Sequence, residues 1–233
     1  MDTITNALQA VRQRIKQAAE VAGRQPDSVQ LLAVSKTFGA DAVRATYAAG
    51  QQAFGENYLQ EALDKQAQLQ DLPLQWHFIG PIQSNKTRPI AQHFDWVHSV
   101  EREKIAQRLN EARDVHVPPL NVLVQVNVSG EASKSGVEPD AALALARQIQ
   151  AMPRLRLRGL MAIPAPTDSE TEQRAAFRQL KNLFEQGRAE GLDWDTLSMG
   201  MSHDLEAAIA EGATMVRVGT AIFGARNYGE KTA

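Results

Sequence analysis

The segment VQLLAVSKTFGADAVRATYAAGQQAF (residues 29–54) is the most informative part of the sequence for the fold. It begins with an apolar, strand-like run over residues 29–35, continues with a helical pattern over residues 40–49, and ends in a second short strand-like run over residues 52–54. Parallel neighbouring strands need a crossover connection, which is usually a helix. This order of elements therefore predicts an α/β protein with a parallel sheet.

The same alternation continues along the rest of the chain. Most prolines lie between the predicted elements, as is typical of residues that break helices and strands. The predicted strands are residues 29–35, 52–54, 74–79, 96–99, 121–128, 155–161, 196–198 and 215–218. The predicted helices that lie between them are residues 40–49, 58–70, 85–92, 102–113, 141–152, 171–190 and 205–211.

The count of strand–helix units favours a closed barrel. About eight units close a (β/α)8 TIM barrel, and 233 residues is near the short end of the usual range for that fold. An open doubly wound sheet is the alternative, but residues 34–39 (VSKTFG) lack its usual Gly-x-Gly-x-x-Gly turn. Because no linker or low-complexity tract marks a boundary, we predict one barrel domain over residues 1–233.

An amphipathic helix is predicted before the first strand. Apolar residues recur at helical spacing from Ile4 to Ala22, and charged residues such as Arg12 and Lys16 interrupt any continuous apolar run. This pattern is not that of a signal peptide, and no apolar run approaches the ~20 residues needed to span a membrane. We therefore expect a cytoplasmic protein.

The composition excludes several classes of protein. With 25 Lys and Arg, 27 Asp and Glu and a formal net charge of -2, nothing indicates a nucleic-acid or membrane partner. The absence of cysteine excludes disulfides, thiolate metal sites and a cysteine nucleophile. The histidines show no metal-ligand spacing, so we expect no metal site.

Two turns at the ends of the seventh and eighth predicted strands are typical of phosphate binding. Ser198, Gly200 and Ser202 follow the seventh strand, and Gly219 and Thr220 follow the eighth. Barrels commonly bind phosphate at this corner, where backbone N–H groups at a helix start point at the anion. Either turn alone is more simply an ordinary strand-to-helix connection, with Ser202 as a helix N-cap. Their occurrence together favours a phosphate site.

Lys36 is a candidate nucleophile at the end of the first predicted strand. By strand alternation it shares a face with Leu32 and Val34, which we expect to point into the barrel. A desolvated lysine forms Schiff bases with carbonyls, whereas a lysine that extends from a strand end into solvent is the simpler interpretation. Strand one neighbours strand eight in a closed barrel, so an electrophile held near Gly219 would be within reach. This arrangement suits either pyridoxal 5′-phosphate (PLP) or a phosphorylated sugar carbonyl.

Arg217 favours the first of these ligands. It shares a strand face with Gly219, and an inward guanidinium is costly without an acceptor. A pyridine nitrogen would serve as that acceptor and would stay unprotonated, which makes the cofactor a weak electron sink. The alternative is an ion pair with Glu206 or Asp204.

With these residues in hand, the chain resembles the YggS/PROSC family of pyridoxal 5′-phosphate homeostasis proteins. The resemblance spans nearly the whole chain, and its ordered motifs are specific in combination. The motifs are AVSKT (33–37), FGENY (54–58), HFIGPIQSNK (77–86), GLM (159–161), SMGMSHD (198–204) and VRVGTAIFG (216–224). One departure follows Lys36, where many members have a basic residue and a proline and this chain has Phe38-Gly39.

The resemblance implies a barrel like the N-terminal domain of alanine racemase, with one extra N-terminal helix and PLP as cofactor. The cofactor-binding residues that it implies are Lys36 for a reversible Schiff base, Asn57 near the ring, Arg217 at the pyridine nitrogen, and Ser198, Gly200, Gly219 and Thr220 around the phosphate.

The length of the chain bears on catalysis. Racemase-type barrels have a second domain that completes the active site and supplies a tyrosine from the partner subunit. Only residues 226–233 follow the last motif here, and Tyr228 in this short tail is a poor platform for positioned proton transfer. We therefore expect no catalytic residues, and a monomer that stores PLP or delivers it to PLP-dependent apoenzymes, with Lys86 or Lys134 as transient acceptors.

Three other functions remain open from the sequence. The first is a PLP-dependent amino-acid racemase or lyase. The second is an aldolase-type enzyme in which Lys36 acts on a sugar phosphate. The third is a protein-interaction module, for which the sequence offers no peptide-binding signature.

Overall fold

Short apolar runs form the strands of this protein, and the amphipathic segments between them form its helices. The computed structural model describes residues 2–129 and 135–225. The strands in these residues are β1 Gln30–Val34, β2 Ala53–Glu56, β3 Gln75–Phe78, β4 Trp96–Val100, β5 Leu120–Gln125, β6 Leu155–Met161, β7 Thr196–Ser198 and β8 Met215–Val218. The helices are α1 Asp2–Val21, α2 Ala40–Ala48, α3 Leu59–Gln68, α4 Thr87–His93, α5 Glu103–Ala112, α6 Pro139–Gln150, α7 Glu170–Ala189, α8 Leu205–Ala210 and α9 Thr220–Phe223.

The strands pair in parallel and in chain order to give a closed barrel. Each strand pairs with the next, and β8 pairs back onto β1, with Ala33 opposite Val218. This is the predicted (β/α)8 TIM barrel, so the sequence-based fold is confirmed.

Some element boundaries differ from the sequence-based prediction. The predicted helix over residues 85–92 divides into a 3-10 turn at Ser84–Lys86 and α4. The fifth strand ends at Gln125 rather than at residue 128, and Val126 forms an isolated bridge with Val137 while its N–H still donates to the Met161 carbonyl at 2.9 Å. Helix α9, only four residues long, was not predicted, since so short a segment carries no helical periodicity.

Alternate residues of each strand serve two different cores. Leu32 and Val34 point inward and form a small cluster with Ile79 and others inside the barrel. Leu31 and Ala33, on the opposite face of β1, belong to the large core between barrel and helices. Side chains that follow β1 in register with Val34 are therefore directed toward the barrel mouth.

Helix α1 covers the outside of the barrel beside α2, α8 and α9. Its apolar face, which includes Leu8, Val11 and Ile15, is buried. Each such side chain contributes about 1.5–3 kcal/mol when fully removed from water. No helix among residues 2–129 and 135–225 combines the length and the apolar character needed to cross a membrane.

Candidate functional site

A cavity of about 260 Å³ opens at the carboxyl end of the barrel. It lies between the ends of β1, β2 and β8, and its wall includes Lys36, Asn57, Arg217, Gly219 and Thr220. A larger cavity of about 500 Å³ lies at the opposite end of the barrel. Function in this fold resides at the carboxyl ends of the strands, so the smaller cavity is the candidate site.

Lys36 lies in the turn directly after β1, and its side chain is half-buried. It lines the cavity together with Val34, which shares the inward face of the strand. The expected orientation toward the mouth is therefore the one that the structure has.

Arg217 is a buried cation at the base of the cavity. Its Nη1 donates to Ser198 Oγ at 2.8 Å and its Nη2 donates to the Ala162 carbonyl at 2.9 Å. Burial lowers the pKa of Arg217 to about 10, and the charge of Asp204 opposes that shift. The guanidinium therefore stays protonated at neutral pH.

The alternative ion pair for Arg217 is not formed within the described part of the chain. Glu206 binds Arg14 instead, and Asp204 Oδ1 accepts the Met201 N–H at 2.6 Å. Arg217 consequently has donors left over on a cavity wall that offers it no carboxylate.

Ser198 and Gly200 lie behind the cavity rather than on its wall. The Ser198 hydroxyl is fully buried and bonded to Arg217 and His98. Gly200 has φ of +92°, and a Cβ there would lie 2.5 Å from the Cβ of Ala208, so the turn and its packing on α8 require glycine. Residues of the same loop that do line the cavity are Met201, Ser202 and His203.

Ser202 is not the N-cap of α8. That position belongs to Asp204, while the Ser202 carbonyl accepts a 2.8 Å bond from Arg14 of helix α1. Ser202 is thus held at the cavity wall by a contact from outside the barrel.

The turn after β8 brings backbone close to the site. Gly219 and Thr220 both line the cavity, and a Cβ at Gly219 would lie 3.0 Å from the Val34 carbonyl. Glycine therefore lets the ends of β8 and β1 approach closely. The first N–H groups of the short α9 have no intrahelical acceptor.

Asn57 carries an unsatisfied polar atom at this site. Its Oδ1 is buried and finds no hydrogen-bond partner among the described residues. An unsatisfied buried acceptor costs about 1–3 kcal/mol. Its place on the cavity wall indicates that a ligand supplies the missing donor or contact.

A hydrogen-bonded chain runs from Arg217 through the interior of the barrel. The Ser198 hydroxyl meets His98 Nδ1 at 2.9 Å, His98 Nε2 meets His77 Nδ1 at 2.9 Å, and His77 Nε2 meets Gln75 Oε1 at 3.0 Å. Because the Gln75 amide oxygen only accepts, His77 Nε2 donates to it, His98 Nε2 donates to His77 Nδ1, and the Ser198 hydroxyl donates to His98 Nδ1. Both imidazoles then carry their proton on Nε2.

His77 and His98 are both neutral at neutral pH. Burial lowers the pKa of His77 to about 3. Burial, followed by the nearby His77 and Arg217, lowers the pKa of His98 well below its usual value. The sequence analysis found no metal-ligand spacing among the histidines and did not connect these two. Their shared inward parity on the neighbouring strands β3 and β4 was the signal that could have connected them.

Several sequence candidates lie elsewhere. Lys86 is exposed on the 3-10 turn and does not line the cavity. Lys134 and Tyr228 lie outside the described residues. No cluster of histidine and acidic side chains suited to a metal occurs within residues 2–129 and 135–225.

The barrel and its mouth place the protein in a structural class, that of the alanine racemase N-terminal domain. The model of the family "Alanine racemase, N-terminal domain" matches residues 7–227. Alanine racemase from Corynebacterium glutamicum superposes with a TM-score of 0.67 at 19% identity, over 94% of this chain and 61% of that one. At this identity the likeness concerns the fold alone.

Closer relatives narrow the class. The chain is 64% identical over 229 residues to the pyridoxal phosphate homeostasis protein of Pseudomonas aeruginosa, covering 98% of both chains. It is 52% identical over 234 residues to the protein of that name from Escherichia coli K12, covering 99% of this chain and 100% of that one. This chain belongs to the family of pyridoxal phosphate homeostasis proteins, which confirms the family inferred from the sequence motifs.

A solved structure of a relative carries the cofactor. PipY of Synechococcus elongatus PCC7942, determined with PLP bound, superposes with a TM-score of 0.83 at 39% identity. The match covers 95% of this chain and 100% of PipY.

Proposed function

We propose that this protein binds PLP at the mouth of its barrel and acts in PLP homeostasis as a carrier. The names of its relatives and the PLP-bound PipY support this proposal. The single observation that carries it is Arg217, a buried cation with surplus donors on the cavity wall. A pyridine nitrogen is a suitable acceptor for such a donor.

The residues of the cavity suit the parts of PLP. Lys36 is the proposed attachment site, Asn57 would lie near the ring, and Arg217 would donate to the ring nitrogen. Gly219 and Thr220 would bind the phosphate through backbone and hydroxyl donors. Ser198 and Gly200, also predicted as cofactor-binding, act from behind the wall in this proposal: Ser198 orients Arg217, and Gly200 shapes the loop that carries Ser202.

The chemistry that PLP supplies is that of an aldehyde. When PLP is bound, the Lys36 amine would be the group that condenses with it reversibly, with loss of one water. Since Arg217 keeps its proton, it would donate to the ring nitrogen and leave that nitrogen unprotonated, which would weaken the cofactor as an electron sink.

A carrier suits the site better than a racemase or lyase. Racemisation needs groups that move protons on both faces of a substrate carbon. His203 is the one candidate for proton transfer, besides Lys36, among the described residues that line the cavity. Its side chain is exposed and is paired with the exposed Asp168. We propose that residues 1–233 form one PLP-binding domain, and that the protein works as a cytoplasmic monomer that passes PLP to apoenzymes.

Lys36→Ala tests the attachment. Wild-type protein mixed with PLP should show the visible absorption of a Schiff base, and borohydride should fix the cofactor on the peptide that contains Lys36. Lys36→Ala should lose both signals, whereas Lys86→Ala, at an exposed lysine, should keep them. An adduct of unchanged yield in Lys36→Ala would refute attachment at Lys36.

A further inference from the structure

A buried cluster of charged side chains lies beside the turn that carries Lys36, and the function proposed above does not use it. Glu56 at the end of β2 and Lys65 of α3 form its core, with side chains 0% and 4% exposed. Burying charged groups is unfavourable unless they are paired. Glu56 is incompletely satisfied even so: its Oε2 has no partner among the described residues, and burial raises its pKa.

Lys65 is the centre of the cluster. Its Nζ lies 2.7 Å from the Ser35 carbonyl, 2.7 Å from Glu56 Oε1 and 2.6 Å from Glu61 Oε1. The first two contacts are hydrogen bonds donated by the ammonium group, and the third is an ion pair. One side chain thereby connects the ends of β1 and β2 with helix α3.

The cluster fixes the backbone on both sides of Lys36. Ser35, which precedes it, offers its carbonyl to Lys65 and donates its hydroxyl to Glu56 Oε1 at 2.6 Å. Thr37, which follows it, donates its N–H to Glu61 Oε1 at 2.6 Å. Lys36 is thus the central residue of a tripeptide whose two flanking residues are both bound by this cluster.

Thr37 adopts a backbone conformation that its residue type disfavours. Its φ is +69°, and no other non-glycine residue in the described part of the chain has a positive φ. Such a conformation is unfavourable for a β-branched residue. It persists only where surrounding contacts maintain it, and such strain is common at functional sites.

We infer that Lys65 is a positioning residue for Lys36. It binds Ser35 directly and Thr37 through Glu61, and so sets the direction in which the Lys36 amine enters the cavity. This inference rests on the proposed function, because it assigns Lys65 a role only if Lys36 is the attachment site. The competing explanation is a purely structural attachment of α3 to the barrel.

Lys65→Met tests the inference, because it removes the ammonium and keeps most of the side-chain length. Lys104→Met, at an exposed lysine of α5, is the matched control. The measurement is the rate at which borohydride-fixed PLP appears on the Lys36 peptide. Lys65→Met should lower this rate by about tenfold or more, since small errors in the position of a reacting group are costly. Lys104→Met should match wild type.

The same substitution made in the Lys36→Ala variant distinguishes an effect on the position of Lys36 from an effect on the structure of the whole pocket. In Lys36→Ala, noncovalent PLP binding can be followed by equilibrium dialysis. If Lys65 acts through Lys36, adding Lys65→Met to Lys36→Ala should change this binding by less than about twofold. A weakening as large as the loss of rate seen with Lys36 present would show that the cluster maintains the whole pocket, and would overturn the inference.

Glu61→Ala keeps the inference testable if Lys65→Met does not fold, as judged by circular dichroism. The Glu61 side chain is 31% exposed, so its removal is milder, but it takes away the acceptor for the Thr37 N–H. A clear fall in the rate is expected, and a wild-type rate would overturn the inference. If wild type itself traps no PLP on Lys36, the proposed function fails. If wild type traps PLP and the variants do so equally fast, only the role of Lys65 fails.

Discussion

At the scale of single residues, Asn57 is the clearest case of a side chain that serves ligand binding at the expense of stability. Its buried Oδ1 has no partner among the described residues, yet the side chain lies on the cavity wall. A residue selected for stability alone would not leave an acceptor unsatisfied. The stability lost in the free protein is therefore expected to return when PLP binds.

Asn57→Ala should show this trade-off. The free energy of unfolding without PLP should rise by about 1 kcal/mol or more, because the substitution removes the unsatisfied acceptor and no protein hydrogen bond to Oδ1 is lost. The extra stability conferred by a fixed PLP concentration should fall by about 1.4 kcal/mol, which corresponds to a tenfold weaker Kd. Urea unfolding with and without PLP measures both quantities.

Asn121→Ala is the matched control at the opposite end of the barrel. Asn121 donates to the Asp95 carbonyl and accepts from Arg158, both at 3.1 Å. Its loss should destabilise the free protein and leave the effect of PLP unchanged. Equal effects of PLP on Asn57→Ala and wild type would contradict the role given to Asn57.

At the scale of elements, the chain from Arg217 to Gln75 joins four strands, β8, β7, β4 and β3, through side chains alone. Its direction is set by the Gln75 amide oxygen, which only accepts, and it is compatible with Arg217, which only donates, at the other end. The strands thereby hold Arg217 in one orientation at the cavity.

The two buried histidines, His77 and His98, predict that the free energy of unfolding depends on pH. Their pKa values are lowered in the folded state, to about 3 for His77, while an unfolded histidine titrates near 6.5. Between these values the unfolded state binds more protons, so stability is fully present above about pH 6.5 and is lost as the pH falls toward 3. Each histidine contributes a slope of at most about 1.4 kcal/mol per pH unit.

His98→Gln removes one of these contributions. Its free energy of unfolding should fall less steeply than that of wild type between about pH 6 and about pH 4, which both lie inside the window from about 6.5 to about 3. Exposed His116→Gln is the surface control. Nitrogen NMR of the wild type should also show two neutral imidazoles protonated on Nε2. Identical pH slopes in His98→Gln and wild type would contradict the lowered pKa of His98.

The elements also show how far sequence reasoning reaches. Strand and helix periodicity, with the carboxyl-end rule for barrels, was enough to predict the barrel and to place Lys36, Arg217, Gly219 and Thr220 at one mouth. The burial of Ser198 and its bond to His98 depend on which strands face each other across the interior, and periodicity along one strand does not encode that. The cluster around Lys65 was not predicted for the same reason, because its members come from different elements, β2 and α3.

At the scale of the whole molecule, helix α1 acts on the site from outside the barrel. Arg12 donates to the carbonyls of Ala49 and Gly50 at 3.1 and 2.8 Å, which attaches α1 to the end of α2. Arg14 holds the Ser202 carbonyl at 2.8 Å, and Ser202 lines the cavity. The additional helix therefore braces the cavity loop as well as covering apolar surface.

The mouth of the barrel is open, and this bears on turnover. Ile163 and Met201 line the cavity and are 41% and 39% exposed. An open site with one proton-transfer candidate beside Lys36 on its described wall is poorly suited to racemisation, which needs water exclusion and two positioned groups. Holoprotein incubated with L-alanine should therefore racemise it at well below about 1 per second, the low end of ordinary enzyme turnover.

Chiral chromatography of the alanine over time measures that rate, and Lys36→Ala gives the background. The open mouth should at the same time let a small amine such as hydroxylamine remove PLP from the wild-type holoprotein, which loss of the visible absorption would report. Slow or absent removal would show that the cavity closes over its ligand. Racemisation at an ordinary enzymatic rate, abolished by Lys36→Ala, would show that the chain is an enzyme and would refute the carrier role.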